Sequence, residues 1–378
     1  MTVMEGASFG ARTRVGADVG GTKIAVGLVA EDGTLLASAV RPTPAARGPV
    51  AVLDAIAEAV RELPGHERAR GLGVGTGGVV NRDDGTVVSA NDLLPGWAGT
   101  RLGEELEARL GMPVAADNDA NVFALAEQVH GAGAGCTTAL YVSVGTGIGG
   151  GVVTGGRLLR GEHWTAGEFG HIAVPEAAGR PCNCGRTGHL EAIASGPAIA
   201  ARFAERTGAA HPVDLRHVAA LAEGAGEAGE AGEAGEAGEA GEAGEAGEAG
   251  EGAGPDGGGQ GGGGQGAAQA AVAREVLAQG AGALGRALAG LVNTLDPERV
   301  VIGGGVASIG APFWRPLTDA FATELLPGPS LLRPVPAALG PRAAVVGAAA
   351  LLCEEPAGAT GPGRAAHPRT PFSTKDAP

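Results

Sequence analysis

The stretch Ala-Asp117-Asn118-Asp119-Ala-Asn121, followed by Ser143-Val-Gly145-Thr146-Gly147-Ile-Gly149-Gly150-Gly151, decides how this chain is read. The same region continues through Gly167-Glu168-Phe169-Gly170-His171 to Cys182-Asn183-Cys184-Gly185-Arg-Thr-Gly188-His189-Leu-Glu191. A carboxylate cluster, a glycine loop suited to phosphate, and a set of thiols and imidazoles therefore share one segment. A merely structural segment has no need of all three.

Working outward, two further glycine loops stand at Asp18-Val-Gly20-Gly21-Thr22-Lys23 and at Gly303-Gly304-Gly305. Each of the three follows an apolar, β-branched run that reads as a strand. Glycine tolerates positive φ and leaves backbone N–H groups open to an anion. In a chain with 71 Gly, a single such loop is equally well a tight turn. The placement of Thr22 and Thr146 at matched positions, and of Asp18 where a carboxylate would hold a water of Mg²⁺, favours phosphate. The P-loop pattern is absent, and no loop has the Rossmann glycine spacing.

Asp119 is the candidate general base, because a carboxylate within reach of an alcohol can accept its proton during phosphoryl transfer. Asp117 and Asn118 also suit the cap of a helix expected over 117–129. Glu168, His171 and Glu191 can hold the vicinal hydroxyls of a polyol. His171, Cys182, Cys184 and His189 form a two-thiol, two-imidazole set that suits tetrahedral Zn²⁺. The bland alternative is a pair of unpaired thiols, since a disulfide between neighbours so close would be strained.

Strands alternate with helices along the chain, which indicates α/β layers. Strands are expected at 15–29 (two, joined by the first glycine loop), 35–40, 72–80, 137–144, 151–153 and 299–306. Helices are expected at 50–63, 102–110, 192–207, 215–223, 267–295, 313–326 and 343–352. A length of 378 residues predicts two domains. Residues 1–13 read as a disordered leader and 354–378 as a loose tail. The Gly-Glu-Ala and Gly-rich run 224–266, which has nothing to bury, reads as a disordered insertion. The net charge of −15 argues against nucleic acid as a partner. No apolar run approaches the roughly 20 residues of a membrane span, and no secretory signal is evident. Four Cys without a framework spacing fit a reducing cytoplasm.

These motifs together resemble the ROK family of sugar kinases and repressors, and within it the bacterial ATP-dependent glucokinases. The resemblance covers about residues 14–353 apart from the insertion. It implies the two-lobed actin-like ATPase (ribonuclease H-like) fold, with a nucleotide and sugar cleft between lobes. The small lobe would be 14–115, with 341–353 returning to it, and the large lobe 116–340. It implies that Asp18, Gly20, Gly21, Thr22 and Lys23 form the first phosphate loop, Gly145, Thr146, Gly147 and Gly149 the second, and that Gly303, Gly304 and Gly305 approach the adenosine of ATP. Asp119 would act on the sugar 6-hydroxyl, and Asn91, Asn118, Glu168, His171 and Glu191 would hold the other hydroxyls. His171 would also ligate a structural Zn²⁺ with Cys182, Cys184 and His189.

Several positions depart from the family pattern. His189 stands where the family usually has a third Cys, Asn183 replaces a Gly, and His163-Trp164 replaces small residues ahead of Gly167. About 14 residues precede the first loop, too few for the DNA-binding domain of the repressor branch. The expectation is a glucokinase using MgATP, a homodimer or homotetramer. The alternatives are a kinase for N-acetylmannosamine, N-acetylglucosamine, fructose or allose, and, from another class, a non-catalytic sugar sensor on the same fold.

Overall fold

The structure, a computed structural model, describes residues 1–4, 12–90, 93–209, 211–224 and 262–354. It opens with β1 (Thr2–Val3), β2 (Arg14–Val19), β3 (Lys23–Val29) and β4 (Leu35–Pro42). β2 and β3 are antiparallel with Val19 opposite Ile24, so the first glycine loop is the tip of a hairpin. Val15, Ala17 and Val19 alternate into the interior from one strand, as Ile24, Val26 and Leu28 do from the other. Helix α1 (Pro49–Arg61) carries proline in its first turn and buries Val52, Leu53, Ile56 and Val60 as one stripe against this sheet.

The chain continues through β5 (Leu72–Thr76), a small hairpin of β6 (Val79–Asn81) and β7 (Thr86–Ser89), α2 (Leu102–Leu110) and β8 (Val114–Asn118). The resulting sheet has the order β1-β4-β3-β2-β5-β8, with β5 parallel to both β2 and β8. Next come α3 (Asp119–His130), β9 (Ala139–Val144), β10 (Ile148–Thr154) and β11 (Arg157–Leu159). They are followed by α4 (Glu191–Ala194), α5 (Gly196–Thr207), α6 (Leu215–Glu223), α7 (Gly262–Leu295), β12 (Arg299–Gly303), α8 (Ala311–Glu324), β13 (Val335–Pro336) and α9 (Ala343–Ala350). The second sheet has the order β11-β10-β9-β12-β13. Both sheets thus share a plan: an antiparallel three-strand meander whose first strand pairs with a parallel strand, which pairs in turn with a second parallel strand. Each places a glycine hairpin at the same point, between its first two meander strands.

Two helices join the sheets. α3 lies on β9 and β10, α9 lies on β2 and β5, and the two pack against each other. Glycine makes this approach possible. A Cβ on Gly16 would lie 1.9 Å from the Val345 carbonyl oxygen, one on Gly73 would lie 1.7 Å from that of Ala348, and one on Gly347 would lie 2.0 Å from that of Val122. On the far face of the second sheet, α7 buries Val276, Leu277, Leu284, Leu288 and Val292 in a core shared with Phe313, Leu317 and Phe321 of α8.

Several expected boundaries move. The strand over 72–80 is two strands, because Gly77-Gly78 turns the chain with φ +97° at Gly78. The helix expected from 117 begins at Asp119: Asp117 and Asn118 pair with β5 as the end of β8, and Asn118 still caps the helix, as its composition suggested. The helix over 192–207 breaks at Ser195, which caps α5 by accepting the Ala198 N–H. The expected leader is in part a strand: Thr2 and Val3 pair with Ser38 and Ala37, while 5–11 lie outside the described residues. Helix α7 begins at Gly262, inside the run expected to be disordered, since a helix packed further along extends cooperatively upstream. The rest of that run, 225–261, and the tail 355–378 lie outside the described residues. Among the described residues no helix is long and apolar enough to cross a membrane.

Candidate active site

The hairpin tips are held by their own hydrogen bonds. In the first, the Gly20 N–H donates to the Lys23 carbonyl at 3.0 Å, and the Thr43 hydroxyl and N–H donate to the carbonyls of Gly20 and Thr22 at 2.6 and 3.0 Å. In the second, the Gly145 N–H donates to the Gly147 carbonyl at 2.8 Å. The Glu191 carboxylate accepts the Ile148 N–H at 2.8 Å just past that tip. Thr22 and Thr146 are exposed. The third loop meets the second: the Val144 carbonyl accepts the Val306 N–H at 2.9 Å, and Gly304, at φ +93°, would place a Cβ 2.3 Å from that same oxygen.

One expected loop residue lies elsewhere. The second loop ends at Gly147, so Gly149 is inside β10, where a Cβ would fall 2.7 Å from the Ala120 Cβ. Gly151 stands likewise 2.5 Å from the Ala124 Cβ, and Gly150 against the Phe169 ring. These three glycines let α3 and the 167–171 segment press onto the strand, as strand glycines often do.

Asp119 opens α3 where β8 ends. Asn118 is the N-cap: its carbonyl oxygen accepts the N–H groups of Ala120 at 2.8 Å and Asn121 at 3.3 Å, and its amide donates to the Gly78 carbonyl at 2.8 Å. Asn118 thus ties the Gly77-Gly78 turn to the head of α3. The Asp119 side chain is exposed at its solvent side, with protein packed around the rest of the carboxylate. That desolvation, together with the negative charges of Asp18 and Glu168, pushes its pKa up to about 6. Asp18 at the end of β2 is itself raised by burial, against the pull of Lys23. Three acids from three separate elements therefore share one field. Asn91 lies outside the described residues.

Glu168 reaches this field because Gly167, at φ +97°, lets the chain lie on β10 with no Cβ to clash with the Gly150 carbonyl. Burial raises the Glu168 pKa. Its Oε2 is 3.7 Å from His171 Nε2, and His171 Nδ1 is 3.7 Å from Cys182 Sγ. Cys184 Sγ is 3.2 Å from His189 Nδ1. One ligand atom from each of His171, Cys182, Cys184 and His189 lies within 4.8 Å of the others. The knuckle that gathers them turns at Gly185 and Gly188, both with positive φ, and closes through the Cys182 N–H to the Arg186 carbonyl at 2.7 Å. Two thiols and two imidazoles converging on one point fit Zn²⁺.

Sequence reasoning missed three residues here. Thr43, which clamps the first loop, sits in a proline-containing connection with no motif. Thr76, whose hydroxyl accepts the Trp97 indole N–H at 3.0 Å, braces the strand that leads to the Gly77-Gly78 turn. Arg160, paired with buried Asp117 at 2.6 Å, has no local signal because its partner is 43 positions away.

The family model described as "ROK family" matches residues 14–234 and 265–355. The chain belongs to the ROK family. A Streptomyces coelicolor glucokinase is 36% identical over 347 residues, 90% of this chain and 97% of that one. A Shigella boydii N-acetylmannosamine kinase is 40% identical over 190 residues, 50% of this chain and 63% of that one. A solved ROK family glucokinase from Streptomyces griseus, in complex with glucose and AMPPNP, superposes with a TM-score of 0.67 at 29% identity, covering 90% of this chain and 98% of that one. The ROK fold is the two-lobed actin-like ATPase fold, and the doubled sheet plan described above is its framework.

Proposed function

We propose that this ROK sugar kinase transfers the terminal phosphoryl group of ATP to the 6-hydroxyl of glucose. The observation that carries this reading is Asp119: a carboxylate at the head of a capped helix, beside Asp18 and Glu168, with its pKa pushed up to about 6. A base poised near neutrality accepts a hydroxyl proton better than an ordinary, fully solvated carboxylate. The hairpin tips at Gly20 to Lys23 and Gly145 to Gly147 are the donors for the phosphates, and Asp18 is the residue to hold a water of Mg²⁺. Asn91, Asn118, Glu168, His171 and Glu191 are assigned to the remaining sugar hydroxyls. Asn118 and Glu191 already spend hydrogen-bonding capacity on the Gly77-Gly78 turn and on the second hairpin, so each would couple a sugar contact to a loop position. Gly303 to Gly305, beside the second hairpin, are assigned to the adenosine side.

His171, Cys182, Cys184 and His189 would hold Zn²⁺, which supplies a fixed orientation of the His171 ring rather than reaction chemistry. Residues 14–115 with 341–353 are assigned to one lobe and 116–340 to the other; the seating of α9 on β2 and β5 supports the return of the chain to the first lobe. N-acetylmannosamine is a second reading of the acceptor, favoured by the 40% identity over 190 residues to a kinase for that sugar.

A coupled ADP-release assay over a panel of hexoses and amino sugars tests both, with Asp119→Asn alongside. Turnover on glucose that drops by about a hundredfold or more in the variant is the expected result. Turnover confined to N-acetylmannosamine would transfer the mechanism to the second reading. Sugar binding without turnover in the unaltered chain would sink the kinase assignment.

A further inference from the structure

Arg160 follows β11 in the second sheet, yet its guanidinium lies behind the head of α3. Its Nε donates to Asp117 Oδ2 at 2.6 Å, and its two terminal nitrogens reach the Glu354 carboxylate, at 2.5 Å and 3.3 Å. Asp117 is buried, with 2% of its side chain exposed. Its other oxygen accepts the Asn118 N–H at 2.8 Å and the Asn121 side-chain amide at 2.9 Å. One carboxylate thus fixes the residues on both sides of Asp119. Arg160 also acts through its backbone, where its carbonyl accepts the Ala166 N–H at 3.2 Å and closes the loop that delivers Gly167 and Glu168.

This arrangement is costly as pure scaffolding. Burying an ion pair stabilises a fold little, and an apolar pair would often do as well. The carbonyl oxygen of Asn121 is left buried without a partner among the described residues. What the network supplies is geometry: it joins the segment bearing Asp119 to the segment bearing Glu168. The glycine hairpins are not part of it.

We infer that Arg160, acting through Asp117, is a positioning residue that sets Asp119 and Glu168 relative to one another; this rests on the kinase reading above. The test is steady-state kinetics and thermal melting of Arg160→Met, Arg160→Lys, Asp117→Asn and the Arg160→Met/Asp117→Asn double variant, beside the unaltered protein. A misplacement of a reacting group by about 1 Å costs on the order of a hundredfold, so kcat should fall by about ten- to a hundredfold in Arg160→Met. KM for sugar should rise, while KM for ATP stays within about twofold, a split that general loosening of the fold would not give. The double variant should be no worse than the worse single one, because the two residues act as a unit. Arg160→Lys, which keeps the charge but loses the fork, should be intermediate, and it decides the matter if Arg160→Met does not fold. Folded variants with kcat within threefold of the unaltered chain would overturn the inference alone. So would losses that add in the double variant, or that fall equally on ATP and sugar. An unaltered protein without turnover on any sugar would overturn the kinase reading and this inference with it.

Discussion

Asp119 is the proposed base, and the proposed chemistry concentrates there at the scale of a single residue. Its pKa lies above the ordinary 3.8 because burial disfavours the anion and Asp18 and Glu168 add negative charge nearby. Two measurements follow from that sign. If Asp119 is the base, as proposed, the ratio kcat/KM for sugar should rise with pH through about 6 and level off above it, since the base must be ionised. The acid limb should disappear in Asp119→Asn. In stability the sign reverses. The folded chain holds this proton more tightly than the unfolded chain, so the stabilisation is present in acid and lost as pH rises through about 6. Asp119→Asn should therefore melt above the unaltered protein at pH 7.5 and level with it at pH 4; a variant less stable at pH 7.5 would contradict the desolvation argument. Asp119 was legible in the sequence because its neighbours announce a helix start. Its surroundings were not: Asp18, about a hundred positions away, comes near it only through the pairing of β2, β5 and β8, and Arg160 touches its neighbour Asp117 from 43 positions along, which no local pattern encodes.

At the scale of elements, the two hairpins and the knuckle were readable because glycine and cysteine mark turns and ligands locally. Their extent was less so. A run such as Gly149-Gly150-Gly151 looks like loop, but in the fold it is the surface of β10 on which Ala120, Ala124 and Phe169 rest. Glycine carries two meanings, freedom of φ and absence of bulk, and sequence alone does not separate them. β8 was likewise hidden, because Asp117-Asn118 has the composition of a cap and pairs as a strand. The knuckle supports a test of its own. Cys182→Ser should lose bound zinc, read by elemental analysis, and weaken sugar binding by about tenfold while leaving nucleotide binding unchanged. Full sugar affinity in a zinc-free protein would separate the knuckle from the site.

For the whole molecule, the shared plan of the two sheets explains why there are two hairpins: each sheet contributes the tip between its first two meander strands. The alternation of strands and helices made this class of fold legible, whereas the pairing of α3 with α9 required the structure. The family match passes over 235–264, and α6 and α7 pack on each other on either side of the interruption. Replacing 226–260 by a short Gly-Ser linker should therefore leave kcat within about twofold in the ADP-release assay; a larger loss would give that run a part in turnover. The position of α9 bears on how the protein is made. The face of β2 and β5 that receives Val345 and Ala348 is synthesised early, with β5 complete at Thr76, but α9 begins only at Ala343. At the roughly 5–20 residues per second of translation, that glycine-lined face waits on the order of tens of seconds for its cover. Apolar surface left open during synthesis is prone to aggregate, and a premature stop ahead of Ala343 would release a sheet that lacks α9 on that face.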